Sequence, residues 1–272
     1  MVSVTDDALQ SPGPLGLTLD VLGDGIGSAS TVLRANAMAA GLDAPVPTCP
    51  DWTVLDLVAH QGMVHRWAAS QLRGAPIDPP EPLEAEGRAS ADVLGWFDEG
   101  ATDLLQAIVD APDDLEALVF LEHAPPARLF WTRRQCHETT IHAVDALGAR
   151  LRRPARADET WISPEVAVDG IDELLVGFIT RSRKGASPDG STDPTRLLVA
   201  PDGCDVAWLV DLAAGRPIET RRVRPDAVDV SERDHEWRGG PVDLYLRLWS
   251  RCASDPVDDL ERWWRETISV TW

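Results

Sequence analysis

Four stretches before Leu151 repeat their apolar side chains at helical spacing, and beyond it that period gives way to alternation. The first runs from about Leu17 to Ala40 and is weakened near its start by Gly23, Gly25 and Gly27. The second begins after Pro50. There, Thr53 followed three residues on by Asp56 reads as a capping-box-like start, and Val54, Leu57, Val58 and Val64 give an apolar face. The third, about Ser90–Val109, carries Val93, Trp96, Phe97, Leu104, Leu105 and Ile108. The fourth, about Pro126–Gly148, closes on a C-cap glycine. The proline- and glutamate-bearing stretch Ala75–Arg88 reads as a long linker, so a four-helix bundle with a crossover is expected.

After Leu151 the Arg/Pro-rich stretch Arg152–Pro164 reads as a domain boundary. A helix is expected over Ser163–Ile179 and a flexible loop over Arg181–Thr195. Strands follow at Arg196–Ala200, Asp205–Leu212, Ile218–Val223 and Ala227–Val230, with Asp202-Gly203 turning the first two into a hairpin. Helices at Pro241–Arg251 and Val257–Glu266 finish the chain. The fold class is α+β overall: a flexible tail over 1–14, a helical bundle over 15–152, and a smaller α+β domain over 160–272.

A net charge of -20 repels polyanions, so nucleic acid and anionic membranes are poor partners. Lys184 is the sole lysine among many arginines, a mark of a high-G+C genome. Cys49, Cys136, Cys204 and Cys252 form no C-x-x-C pair, and no signal-like or membrane-spanning run is present. A cytoplasmic protein with free thiols is expected. The run Leu22–Gly27 is a partial glycine fingerprint without a preceding strand, and no serine sits in a nucleophile elbow.

The chemistry concentrates in His60 and the run Cys136-His137-Glu138-Thr139-Thr140-Ile141-His142. Helical rotation brings Glu138 and His142 roughly 40° apart, one turn from each other. Gln135 and Asp145 extend the stripe on a helix that otherwise carries Phe130, Ile141, Val144 and Leu147. Such a stripe faces either solvent or a site inside the bundle. His60, among Val58, Ala59 and Val64, reads either as a satisfied core residue or as a third ligand. Two imidazoles and a carboxylate match the ligand count of a catalytic zinc site with a position left open.

His137 and His142 lie five residues apart, roughly 140° around the helix, which excludes an H-E-x-x-H protease site. The same spacing removes His65 as a partner of His60. Cys136 faces away from Glu138 and is expected as a small buried residue, and Cys49, beside Pro50, either packs at a helix entrance or touches the site. Trp52, Trp67, Trp131, Trp208, Trp249, Trp263 and Trp264 are core or domain-interface material, with one or two available to line a pocket.

CPDWTVLDLVAH (Cys49–His60) resembles the C-x-x-W-T-V-x-D-L-V-x-H stretch of the mycothiol-dependent maleylpyruvate isomerase family, a group of DinB-like metal-binding bundles. RRQCHETTIHAVDALG (Arg133–Gly148) resembles that family's H-E-T-x-x-H-x-x-D helix, and GGPVDLYLRLWSR (Gly239–Arg251) its C-terminal helix. The resemblance implies His60, Glu138 and His142 as ligands of a divalent metal, usually zinc, and Arg251 as the arginine that reaches the cleft. Ser250 stands where the family has glycine, so Arg247 competes with Arg251 for that role. Mycothiol is the implied cosubstrate. Its sulfur, held as a thiolate by the metal, would attack a small electrophile, giving conjugation, thiol exchange or isomerisation. Arg251 would anchor a carboxylate through paired hydrogen bonds. Asp145 would orient His142 or bind hydroxyls of a sugar-bearing thiol; otherwise it is a surface acid. Two further functions fit the same residues: a non-catalytic metal- or thiol-binding regulator, and a hydrolase acting through metal-bound water.

Overall fold

The computed structural model describes residues 15–75, 79–121, 124–181, 185–268 and 270. The tail expected over 1–14 lies outside them, as does Lys184. Helix α1 (Leu19–Ala40) starts at Thr18, whose hydroxyl accepts the Val21 N–H. β1 (Pro45–Val46) and β2 (Cys49–Thr53) pair as a short antiparallel ribbon that feeds helix α2 (Val54–Leu72). The expected capping box is formed: Thr53 Oγ1 accepts the Asp56 N–H, and Asp56 accepts the Thr53 N–H at 2.8 Å.

The expected linker Ala75–Arg88 is corrected in part: α3 (Glu81–Ala89) occupies its second half. Pro80 and Pro82 lie at its cap and first turn, where the missing N–H is no loss. Gly87 lets the Trp96 ring lie against it. α4 (Val93–Asp110) and α5 (Ala127–Leu151) complete the bundle, in which α1 packs on α5 and α2 on α4. α5 runs past Gly148 and ends at Arg152 in the left-handed conformation (φ 58°), so the expected glycine cap is also corrected. Gly25 allows the α1–α5 approach, because a Cβ there would stand 2.6 Å from Cys136 Sγ.

Helix α6 (Pro164–Asp172) is capped by Ser163 and continues as a π-helical turn, Glu173–Phe178. A four-stranded sheet follows: β3 (Thr195–Pro201), β4 (Ala207–Leu212), β5 (Glu219–Val223) and β6 (His235–Gly239), in the order β5-β4-β3-β6. The β3–β4 hairpin turns at Gly203 as expected (φ 73°). No strand forms at Ala227–Val230, where short 3-10 turns stand instead. The fourth strand is β6, which pairs parallel with β3. α7 (Pro241–Leu248) and α8 (Asp259–Thr267) close the chain.

One apolar cluster joins Ile26, Leu104, Phe130 and Val144 of the bundle to Ile171, Trp208, Val210, Leu244 and Trp264 of the second half. α5 is therefore covered from both sides, and every residue from Phe130 to Ala149 is buried. The polar stripe Gln135, Glu138, His142, Asp145 faces the interior, which rules out the solvent-facing alternative.

Charge is buried along this seam only in paired form, as desolvation requires. Arg133 donates to Asp169 (2.7 Å) and Asp172 (3.0 Å), and His137 Nε2 lies 2.7 Å from Asp169. Burial raises the Asp169 carboxyl, but His137 and Arg133 outweigh it and hold it down at about 2. Because the folded value lies below the unfolded one, this stabilisation is present above about pH 3.9 and lost as pH falls through about 2. Asp169→Asn should therefore lower the thermal midpoint at pH 7 and flatten its decline between these two pH values. An unchanged acid limb in calorimetry would show that the carboxyl is not held down.

Candidate metal centre

The capping box sets the start of α2, and His60 follows in its second turn, facing α5. Glu138 and His142 sit one turn apart on α5. Glu138 Oε1 lies 3.2 Å from His142 Nε2 and 3.5 Å from His60 Nε2, and the imidazole rings are 5.2 Å apart at 75°. The three donor atoms lie within 4.8 Å of one another. Donors at about 2.0–2.1 Å from a tetrahedral ion stand about 3.3 Å apart, so the spacing and the His₂Glu chemistry both fit zinc.

Around these donors, His142 Nδ1 and Glu138 Oε2 each have a defined partner. His142 Nδ1 lies 2.9 Å from Asp145 Oδ2, which turns Nε2 toward Glu138. Asp145, fully buried, also accepts from Thr48 Oγ1 (2.5 Å), Arg251 Nε (2.9 Å) and Arg251 Nη2 (3.4 Å). Glu138 Oε2 accepts from Arg134 Nη2 at 2.9 Å. Trp52 stacks on His142 (5.7 Å between centroids) and tilts against His60 (4.8 Å).

Burial and mutual pairing set the charge states of the cluster. Burial raises the Glu138 carboxyl, yet bonds from His142 and His60 and the Arg134 charge hold it well below the usual carboxylate range. Burial lowers the His142 imidazole, but bonds to Asp145 and Glu138 lift it to about 9. Burial also raises Asp145, and the Arg251 charge and the His142 bond push it well down.

The donors open onto a cavity of about 660 Å³. Trp52, Ile141, Leu174, Leu248 and Trp249 form its apolar wall, and Arg251 its cationic side. Arg251 arrives there because α7 ends in a Schellman motif: the Arg251 N–H bonds Leu246 O and the Ser250 N–H bonds Arg247 O. Ser250 takes the left-handed conformation (φ 58°) that glycine adopts more readily. Arg247 turns the other way, onto Glu261 of α8 and Asp243. Ser250→Gly should raise stability by about 1 kcal/mol, a rise in Tm of roughly 3 °C, without moving Arg251. A lower Tm would mean that the serine side chain is needed.

Cys49 and Arg251 meet at Asp145. Cys49 lines the cavity, donating to Asp145 Oδ2 (3.7 Å) and lying 3.6 Å from Arg251 Nη2. Burial and the Asp145 charge push its thiol up to about 12, so it stays protonated. Arg251 bonds Asp145 through Nε and Nη2. Other expectations stand: His137 pairs with Asp169, His65 bonds Thr139 Oγ1 at 2.9 Å, and Cys136 is buried. Thr48, Arg134 and Glu173 were not anticipated; Arg134 at one turn before Glu138 was the one legible signal among them.

A buried His₂Glu cluster that could hold a metal ion thus lies between two helices of a bundle, walled by an α+β half. Residues 26–147 match the family model of the mycothiol maleylpyruvate isomerase N-terminal domain. Among solved structures, a mycothiol-dependent maleylpyruvate isomerase is similar at a TM-score of 0.57 and 14% identity, covering 89% of this chain and 93% of that one. A histidine-to-alanine mutant of such an isomerase gives a TM-score of 0.58 at 13% identity, with the same coverage. At these identities the likeness is one of fold. No curated protein matches the chain significantly in sequence. No helix among the described residues is long and apolar enough to cross a membrane.

Proposed function

We propose that the protein is a cytoplasmic, divalent-metal-dependent enzyme, with zinc as its ion, that uses mycothiol in transfer to, or isomerisation of, a small electrophile. Residues 15–152 and 160–272 are read as its two domains, with the site at their seam. The observation that carries this reading is the convergence of His60, Glu138 and His142 on one wall of a 660 Å³ cavity. That volume suits a small-molecule site, about 300–1,000 Å³ in ordinary cases.

When bound, the ion supplies a Lewis acid that stabilises a sulfur ligand as thiolate near neutral pH. His60, Glu138 and His142 would hold it. Asp145 fixes the ring of His142 through Nδ1. Trp52 and Trp249 narrow the water-accessible volume around the donors. Cys49, kept protonated, does not compete as a nucleophile, so the sulfur comes from the cosubstrate. Arg251 engages Nε and Nη2 with Asp145 and one N–H of Nη1 with Trp249 O. Its second Nη1 N–H remains to meet a substrate oxygen.

Thermal-shift assays with zinc and mycothiol, with and without chelator, test the reading. Thiol stabilisation that chelator abolishes is expected. Arg251→Ala should keep the ion, and turnover should fall by at least ~10²-fold. A zinc-loaded protein that ignores the thiol but cleaves esters or amides would make it a hydrolase. One that binds no ion would be a regulator built on the same bundle.

A further inference from the structure

Arg134 is fully buried, with no exposed side-chain surface, one turn before Glu138 on α5. A guanidinium remains charged wherever it is placed, so its position in the interior must be supported on all sides. Nη2 donates to Glu138 Oε2 at 2.9 Å. Nη1 pairs with Glu173, the first residue of the π-helical turn in the second half of the chain. The rings of Phe178 and Trp249 lie 4.9 Å and 5.4 Å from its guanidinium carbon. Trp249 is itself anchored, its indole N–H donating to Gly170 O at 3.2 Å.

The carboxylate of Glu138 is thereby divided. Oε2 faces Arg134, while Oε1 faces His142 and His60. Each carboxylate can engage an ion through one oxygen or through both, and the second mode takes an additional coordination position. A permanently cationic partner on Oε2 favours the first mode and leaves that position to a thiol or substrate.

We propose that Arg134 is a positioning residue that makes Glu138 a one-oxygen metal ligand and, through Glu173, ties that ligand's orientation to the second half of the chain. The inference rests on the metal reading given above. It differs from it in what it requires: the fork geometry of an arginine between Glu138 and Glu173, beyond the presence of the three donors. A lysine keeps the charge but cannot serve both carboxylates with a planar fork.

The test uses the full chain loaded with zinc for X-ray absorption and with cobalt for visible spectroscopy, beside Arg134→Lys and Glu173→Gln. In the unaltered protein the absorption fine structure should contain one carboxylate oxygen and no short metal–carbon distance of a chelating carboxylate. Folded Arg134→Lys should bind zinc 10–100-fold more weakly, in the range ordinary for loss of an outer-shell partner, with a shifted cobalt spectrum. Glu173→Gln should shift the same spectrum in the same direction. A chelating carboxylate in the unaltered protein, or an unaltered spectrum and affinity in both folded variants, would overturn the proposal while leaving the metal reading intact. Should Arg134→Lys fail to fold, the unaltered protein and Glu173→Gln decide. Absence of any bound ion in the unaltered protein would overturn the metal reading and this proposal with it.

Discussion

His142→Ala should abolish tight zinc binding without unfolding the protein. The imidazole supplies one of three donors, and its loss should weaken affinity by well over ~100-fold, more than removing an outer-shell partner does. The fold should survive, because Asp145 keeps Thr48, Arg251 and Cys49 as partners after His142 is gone. The side chain also borders the cavity, so its removal enlarges an existing space and opens no sealed void. Competition with a chromophoric chelator measures the affinity, and far-UV circular dichroism the fold. His137→Ala is the matched control on the same helix. It breaks a buried pair with Asp169 and should lower stability while leaving zinc affinity unchanged. Wild-type affinity in His142→Ala, or its loss in His137→Ala, would mean that the ion sits elsewhere.

The largest stability loss is expected at Asp172. Its carboxylate is fully buried and accepts from Trp208 Nε1 (2.9 Å), Arg133 (3.0 Å) and Arg222 (2.5 and 2.8 Å). These donors come from β4, α5 and β5, so one side chain ties the sheet to the central helix. Arg133 and Arg222 are themselves nearly out of solvent, with side chains 9% and 10% exposed. Asp172→Ala leaves both cations in place and removes their shared counter-charge; Arg133 keeps Asp169, while Arg222 loses its two bonds to Asp172. Breaking a buried pair in this way costs about 3–5 kcal/mol. For a chain of this size that is a fall in Tm on the order of 10 °C. Urea unfolding followed by tryptophan fluorescence gives the same quantity. A loss under about 1 kcal/mol, the surface-pair range, would show that water reaches the two guanidinium groups.

How much of this was legible depended on the range over which each interaction acts. α2 and the chemistry of α5 could be read locally, because the capping box spans three residues and Glu138 and His142 one helical turn. α3 was missed because its prolines read as a linker, although proline in a first turn is compatible with a helix. β6 was missed because His235–Gly239 has little apolar alternation; its parallel pairing with β3 makes it a strand. Cys49, Thr48 and Arg251 meet at Asp145 across about 100 residues of chain, and no local spacing signals such a junction. The role of Ser250 was legible only as a departure from glycine; its φ of 58° showed that the same turn is kept.

The amino-acid order by itself determined which helices carry the donors, the one-turn relation of Glu138 to His142, and the separation of His137 from both. Those follow from helical rotation, which needs no neighbour. Tertiary structure alone decided that the polar stripe is interior, that His60 meets it, and that Arg251 spends its bonds on Asp145. A polar helix face can be wet or enclosed with identical residues. What decides between them is the surface laid over it, here the second half of the chain docked along α5, which removes water and leaves each charge to find a partner in the protein.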